Sequence, residues 1–130
     1  MYGVAVLDHV ALNVTDYDRS RAFYLQALEP LGIGIVMEMA EMKGLGLGDG
    51  GKPYLWVCER GVPSTSTHVA LAAPDAAAVD AFYEAAIAAG GVDNGPPGSR
   101  PHYHDAYYAA FVLDPDGNNV EAVCHHARPG

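Results

Sequence analysis

Residues Phe111 to Val123 read FVLDPDGNNVEAV, and this stretch decides the fold. Two apolar runs flank the segment from Asp114 to Asn118, in which a proline is followed at short distance by a glycine. That pattern is typical of a tight turn between the two strands of a hairpin. Glu121 stands in the middle of the second strand, a position that disfavours Glu. This carboxylate either lies on a solvated face or belongs to a functional site.

The size and charge of the chain limit its class. Its 130 residues, half of them apolar, suit one domain with a single core. The formal net charge of -9 disfavours nucleic acid and anionic membranes as partners, since both require basic patches. Because the first residues lack a basic segment and the apolar runs are short, we expect a cytoplasmic protein without a signal peptide or membrane span. Cys58 and Cys124 are expected to be free, buried thiols.

The first half of the chain predicts one helix and four strands in the order βαβββ. Asp16 is expected to cap the helix, and Pro30 to end it. Alternating apolar residues and turn signals give the boundaries of the strands. The predicted elements are a strand at Val4–Val14, a helix at Tyr17–Leu28, and strands at Gly32–Met39, Lys43–Gly48 and Tyr54–Cys58.

The same pattern occurs twice in the chain. The segment THVALAAPD repeats DHVALNVTD, and a shift of 59 positions superposes His9 on His68. A repeat of this length indicates two copies of one supersecondary unit. The second helix is predicted from Ala76 to Ala89, and a Gly-, Pro- and His-rich insertion follows it between Gly91 and Ala106.

The insertion changes the offset between the two copies. Aligning the turns at Asp49 and Asp114 gives an offset of 65, which superposes Trp56 on Glu121. The units cover about residues 4–59 and about residues 67–124. We predict an α+β domain in which the two βαβββ units pair into one curved, barrel-like mixed sheet with the helices outside. The first and fourth strands of both units would then line a cleft.

Paired βαβββ units, with a His in each first strand and DPDGNNVE closing the second unit, resemble the vicinal oxygen chelate superfamily of glyoxalase, bleomycin-resistance and extradiol dioxygenase proteins. The resemblance runs from about His9 to Glu121. In that family the first and fourth strands of each unit supply metal ligands, which fall here on His9, Trp56, His68 and Glu121. An indole offers no lone pair to a cation, so Trp56 departs from the glyoxalase pattern. Glu59 should face the other side of its strand.

The resemblance therefore implies a divalent metal (Fe, Mn, Zn or Ni) on His9, His68 and Glu121. Two imidazoles and one carboxylate form the donor set of a facial triad with open coordination positions. A metal held in this way would act as a Lewis acid on two vicinal oxygens of a substrate. A cleft that keeps this geometry without a metal is the alternative.

The glyoxalase base on the opposite Glu is missing, so another group must move the proton. Besides Glu121, the candidate catalytic residues are His104, Tyr107 and Tyr108. The sequence leaves open which tyrosine faces the cleft, and a polar loop rim is an alternative for the histidines. Trp56 is either core or a flat cleft wall for an aromatic substrate. The residues predicted to contact the substrate are Trp56, Asn13, Tyr54, His102 and Arg100.

Two functions compete. The first is a metal-dependent enzyme of the lyase, isomerase or ring-cleaving dioxygenase type that acts on a small oxygenated substrate. The second is a metal-free protein that sequesters an aromatic small molecule, as bleomycin-resistance proteins do. The family resemblance also implies a homodimer.

Overall fold

The computed structural model describes residues 6–126, which contain two α-helices and eight strands in the order βαβββ, βαβββ. Short 3-10 turns lie at Glu29–Leu31 and Ala40–Met42. The predicted order of elements is therefore confirmed. The elements are β1 (Val10–Asn13), α1 (Tyr17–Leu28), β2 (Gly34–Met39), β3 (Gly44–Gly48), β4 (Leu55–Cys58), β5 (His68–Ala72), α2 (Ala76–Ala88), β6 (Val92–Ser99), β7 (Tyr108–Leu113) and β8 (Asn119–Cys124).

Both helices begin at an aspartate cap. The Asp16 carboxylate accepts a hydrogen bond from the backbone N–H of Arg19 at 3.1 Å, and Asp75 accepts one from Ala78 at 2.8 Å. These bonds satisfy backbone donors that have no partner inside the helix. The predicted bounds of α1 are confirmed, and α2 ends one residue earlier than expected.

The strands form two separate four-stranded sheets, in the orders β1-β4-β3-β2 and β5-β8-β7-β6. In each sheet the first strand is parallel to the fourth, and the other pairs are antiparallel. Ala11 pairs with Trp56 in the first sheet, and its repeat-mate Ala70 pairs with Glu121 in the second. The equivalence of Trp56 and Glu121 is therefore confirmed. The single barrel-like sheet is wrong, because within residues 6–126 β1 and β5 are edge strands without a ladder between them.

The core lies between the helices and one face of each sheet. Leu12, Phe23 and Phe82 are among its fully buried side chains, and α1 packs against α2. Neither helix in the described residues is long and apolar enough to cross a membrane. The opposite faces of the two sheets carry His9 and His68, and we call them the open faces.

Two strands differ from prediction. β1 begins at Val10 instead of Val4, because its parallel partner β4 offers only four residues to pair with; residues 1–5 lie outside the described part. β6 occupies residues expected to form the insertion. It is an edge strand whose pairing with β7 is irregular between Asp93 and Gly98, so Pro96 and Pro97 need not donate to a ladder.

The turn at Asp114 ties the two units together. Asp114 is only 4% exposed, and its carboxylate accepts a hydrogen bond from the Tyr24 hydroxyl on α1 at 2.5 Å. Burial, together with this carboxylate, raises the pKa of Tyr24 well above its usual value. The backbone N–H groups of Asp116 and Asn118 donate to the same carboxylate at 2.8 and 2.9 Å. One buried side chain therefore holds both its own turn and the helix of the other unit.

Asn118 extends this connection to the segment between the units. Its side-chain amide is fully buried and donates to the Ser64 carbonyl at 2.7 Å. Its carbonyl oxygen accepts from the backbone N–H of Thr67 at 3.0 Å. The residues that mark the hairpin in the sequence thus also fix how the first unit and the linker sit against the second.

Candidate functional site

The second open face carries a buried carboxylate with two partners. Glu121 is 1% exposed, its Oε1 lies 2.7 Å from Nε2 of His68, and its Oε2 accepts a hydrogen bond from the Tyr107 hydroxyl. Strand pairing explains the convergence, because Glu121 lies opposite Ala70 on β5 and opposite Phe111 on β7. We call His68, Tyr107 and Glu121 the Glu121 cluster. Glu121 does not lie on a solvated face.

Tyr107 keeps its proton in this cluster. Burial, followed by the adjacent Glu121 carboxylate, raises its pKa to about 12. The phenol therefore remains a donor at neutral pH and holds one carboxylate oxygen. The imidazole of His68 is about half exposed, so one side of the cluster is open to a ligand.

Tyr108 lies on the other face of the sheet. Its hydroxyl donates to Asp80 on α2 at 2.7 Å, since neighbouring residues of a strand point to opposite faces. Of the two candidate tyrosines, Tyr107 is therefore the one beside Glu121. Tyr108, predicted as a catalytic candidate, contacts the helix instead.

Replacing Tyr107 by Phe should lower the free energy of unfolding by about 1–3 kcal/mol, because the buried Glu121 carboxylate loses one of its two partners. Denaturant unfolding measures this change. Tyr108→Phe is the matched control, and we expect a loss below about 1 kcal/mol because Asp80 is exposed and can bond to water. Equal losses in the two variants would contradict the assigned role of Tyr107.

Two exposed histidines pack against Tyr107. His104 Nδ1 accepts a backbone hydrogen bond from Ala106 at 3.2 Å, so its Nε2 is the nitrogen that donates to His125 Nδ1, 2.9 Å away. Both imidazoles meet the Tyr107 ring edge-on, with centroids 5.3 and 5.1 Å apart. His104 therefore reaches Glu121 only through Tyr107. The sequence does not predict the contact between His125 and Tyr107. It follows from the pairing of Tyr108 with Cys124, which brings the neighbouring residues of the two strands together.

The remaining predicted residues of the second unit lie around this cluster. His102 packs against Tyr103 at the exposed rim, with ring centroids 4.2 Å apart and ring planes tilted by 46°. Arg100 donates to the Pro96 carbonyl at 2.8 Å and lies over the Phe111 ring. The Arg100 guanidinium is thus held by contacts to β6 and β7 of the second sheet.

The first open face carries a cavity of about 200 Å³ in place of a carboxylate. Trp56 is half-buried and occupies the position that corresponds to Glu121. His9 is exposed at the cavity edge and lies 2.7 Å from Asp8. We call this space the Trp56 cavity, and its lining residues are His9, Ala11, Met39, Trp56, Cys58 and Arg60.

The other first-unit candidates do not line this cavity. Tyr54 lines a neighbouring depression together with His9, and burial raises the pKa of its phenol. Asn13 ends β1, and its backbone bonds to Ser64 in both directions. Glu59 accepts hydrogen bonds from Tyr17 at the start of α1 and from Lys43, so it is engaged away from the cavity.

The indole of Trp56 lies over a glycine. A Cβ at Gly46 would stand 2.9 Å from Cη2 of Trp56 and 2.9 Å from Cβ of Pro53, which is closer than side chains tolerate. A Cβ at Gly44 would meet its nearest atoms at 3.4 and 3.8 Å, which are ordinary contacts. The GLGLG sequence of β3 therefore leaves its open face bare for larger neighbours.

Replacing Gly46 by Ala should displace the indole and lower the free energy of unfolding by about 1–3 kcal/mol through overpacking. Trp56 is the one tryptophan of the chain, so its fluorescence reports the displacement directly. Gly44→Ala is the control and should leave both the emission and the stability nearly unchanged. An unshifted emission in Gly46→Ala would show that the indole does not lie on β3.

The structure does not bring the three predicted metal ligands together in one chain. In residues 6–126 no group of three or more His, Cys, Asp or Glu side chains is close enough to hold a metal ion. His68 and Glu121 are adjacent, whereas His9 stands beside Trp56 on the other sheet. The separation follows from the two independent sheets. Cys58 and Cys124 are free and buried, as predicted.

The family follows from the sequence and is supported by the fold. A profile described as the Glyoxalase/Bleomycin resistance protein/Dioxygenase superfamily matches residues 6–122. The chain belongs to this superfamily. A crystal structure of a glyoxalase/bleomycin resistance protein from Albidiferax ferrireducens T118 is similar to it, with 30% identity and a TM-score of 0.80 over 92% of this chain and 99% of the other. None of the curated proteins compared with the chain matches it.

Less similar solved structures share the fold alone. Lactoylglutathione lyase from Agrobacterium tumefaciens is 20% identical, with a TM-score of 0.67 over 95% of this chain and 96% of that one. TioX from Micromonospora sp. ML1 is 20% identical, with a TM-score of 0.69 over 93% of this chain and 99% of that one. Superfamily membership therefore fixes the architecture and leaves the reaction to the site.

Proposed function

We propose that the chain is a divalent-metal-dependent enzyme of the lyase, isomerase or dioxygenase type, acting on a small oxygenated substrate. The observation that carries the proposal is the pair of His68 Nε2 and Glu121 Oε1, 2.7 Å apart. An imidazole and a buried carboxylate whose donor atoms converge suit a divalent ion, and the open side of His68 gives a ligand access. Tyr107 on the other carboxylate oxygen corresponds to the outer-shell partner that ligating carboxylates commonly have.

We propose that His9 of the partner subunit supplies the third ligand in a homodimer. One chain carries the two parts of the donor set on separate sheets, and β1 and β5 are edge strands of those sheets. In a two-fold symmetric dimer, the first open face of one subunit can meet the second open face of the other, and both sites form at once. Fe, Mn, Zn and Ni remain the candidate metals.

When bound, the metal would supply Lewis-acid polarisation of substrate oxygens. The residues of the chain would do the rest. Tyr107, held protonated beside Glu121, donates a hydrogen bond to the carboxylate and fixes its position. His104 stands at the exposed rim, hydrogen-bonded to His125 and packed against Tyr107. A cytoplasmic location remains part of this proposal.

Trp56 favours a second candidate, a metal-free protein that binds an aromatic small molecule. The indole replaces the carboxylate of the first unit, and β2 exposes apolar side chains at Ile35, Met37 and Met39 along the first sheet. Met and aromatic side chains form adaptable apolar walls. The same fold can therefore bind a ligand without catalysing a reaction on it.

Elemental analysis of protein purified without a histidine tag separates the two functions. Near-stoichiometric Fe, Mn, Zn or Ni, lost in His68→Ala, supports the enzyme. The absence of metal after reconstitution with each of the four ions would rule out the proposed enzyme and leave the binding protein.

Replacing Trp56 by Glu should tighten metal binding by at least about tenfold, because it adds a carboxylate at the position that corresponds to Glu121. Calorimetric titration with Zn²⁺ measures the affinity. Trp56→Leu is the control, since it removes the indole without adding a donor. If both variants bind the ion as the parent does, position 56 does not face the metal.

A further inference from the structure

Two side chains lie side by side on the bare face of β3. The indole of Trp56 covers Gly46, and the guanidinium of Arg60 covers Gly44, where a Cβ would stand 3.4 Å from Nη2 of Arg60. Both residues line the Trp56 cavity. A planar aromatic surface and a planar cation are thus held next to each other by glycines two positions apart.

Arg60 is the unengaged cation of this face. In the described residues its guanidinium makes no hydrogen bond and no ion pair, whereas Arg21, Lys43 and Lys52 are each paired with a carboxylate. Arg60 is exposed, so its guanidinium is accessible to a ligand that enters the cavity. Its free donors fit an anionic group on a ligand.

The rest of the cavity wall suits an aromatic ring. Ala11, Met39 and Cys58 are small or apolar, and Trp56 offers the face of its indole. The volume of about 200 Å³ is below the roughly 300–1,000 Å³ of pockets for drug-sized ligands. A molecule with one ring fits this space better than a large one.

The spacing between Gly44 and Gly46 sets the distance between the Arg60 guanidinium and the Trp56 indole. Same-face positions of a strand lie about 6.8 Å apart, which matches one aromatic ring, a carboxylate attached to it and a charge-assisted hydrogen bond of about 2.8 Å. We propose that the Trp56 cavity binds a single-ring aromatic carboxylate, with the ring stacked on Trp56 and the carboxylate on Arg60. The inference rests on the proposed function for its place in the substrate site, but the binding itself requires no metal.

Titration of metal-free wild-type protein with benzoate tests the proposal. Emission of Trp56, the one tryptophan, follows binding, and calorimetry confirms it. Benzamide lacks the charge and cyclohexanecarboxylate lacks the aromatic ring. Benzoate should bind at least about tenfold more tightly than benzamide, given the usual energy of a hydrogen bond between charged groups. It should bind about two- to tenfold more tightly than cyclohexanecarboxylate, which keeps the carboxylate and loses only the stacking on Trp56. Equal affinities, or no benzoate binding, would overturn the proposal.

Variants assign the effect to Arg60. Arg60→Gln should weaken benzoate binding at least about tenfold and leave benzamide unaffected, while Arg60→Lys should retain part of the preference. Arg19→Gln, an equal charge change at an exposed residue of α1 without an ion pair among the described residues, should bind benzoate like wild type. An unchanged affinity in Arg60→Gln would overturn the assignment.

The benzoate titration, read together with the elemental analysis described above, separates this inference from the metal proposal. Benzoate binding to a protein that takes up no metal would support the aromatic carboxylate site and refute the metal-dependent enzyme. Metal uptake without benzoate binding would support the metal-dependent enzyme and refute the aromatic carboxylate site.

Discussion

Glu121→Gln is expected to abolish stoichiometric metal binding. The substitution removes the charged ligand of the proposed site while keeping the side-chain volume and the ability to bond to His68 and Tyr107. The loss of affinity should exceed the roughly 10- to 100-fold that follows the loss of an outer-shell partner. Elemental analysis and calorimetric titration with Zn²⁺ measure the effect.

Glu84→Gln provides the matched control. Glu84 is exposed on α2, so this variant makes the same change of charge and shape away from the Glu121 cluster and should bind metal like wild type. Circular dichroism should show that both variants are folded. Metal retained by folded Glu121→Gln at wild-type affinity would contradict a role for this carboxylate as a ligand.

Asp114→Ala is expected to have the largest effect on stability, lowering the free energy of unfolding by about 3–5 kcal/mol. It leaves the Tyr24 hydroxyl, the amide of Asn118 and two backbone N–H groups of the turn without their acceptor. These groups lie in the buried contact between the two units, where water cannot replace the carboxylate. Denaturant unfolding measures the loss.

The neighbouring aspartate gives the comparison. Asp116 accepts hydrogen bonds from the backbone N–H of Thr15 at 3.2 and 3.3 Å near the surface, and Asp116→Ala should cost less than about 1 kcal/mol. Tyr24→Phe removes one of the hydrogen bonds to Asp114, and its loss of unfolding free energy should lie between those of the two aspartate variants. A loss in Asp114→Ala as small as that expected for Asp116→Ala would show that the buried Asp114 carboxylate does not hold the two units together.

Local signals in the sequence predict most of the fold. The repeat that superposes His9 on His68 leads to both βαβββ units, and the Asp16 cap with Pro30 predicts the bounds of the first helix. β6 is not predicted, because its Gly and Pro residues are typical of a loop. They are tolerated here because β6 is an edge strand with irregular pairing to β7, and that pairing is not visible in the local sequence. The separation of the two sheets is also not predicted, because pairing between units is not local.

The Glu121 cluster could be predicted in part. His68 and Glu121 follow from the repeat. The choice between Tyr107 and Tyr108 depends on where β7 starts, because an error of one residue moves each side chain to the other face of the sheet. Arg60 reads as part of a polar linker, and its position over β3 depends on the register of three strands. Contacts that depend on register and on tertiary packing thus require the structure.

The most direct test of a metal site shared between subunits is the metal content of mixed dimers. Chains carrying His9→Ala and chains carrying Glu121→Ala should each lack metal alone. When the two are co-expressed, heterodimers pair an intact His9 from one subunit with intact His68 and Glu121 from the other, and about one quarter of the wild-type metal should return. A mixture without metal, or either variant alone with wild-type metal, would contradict the shared site.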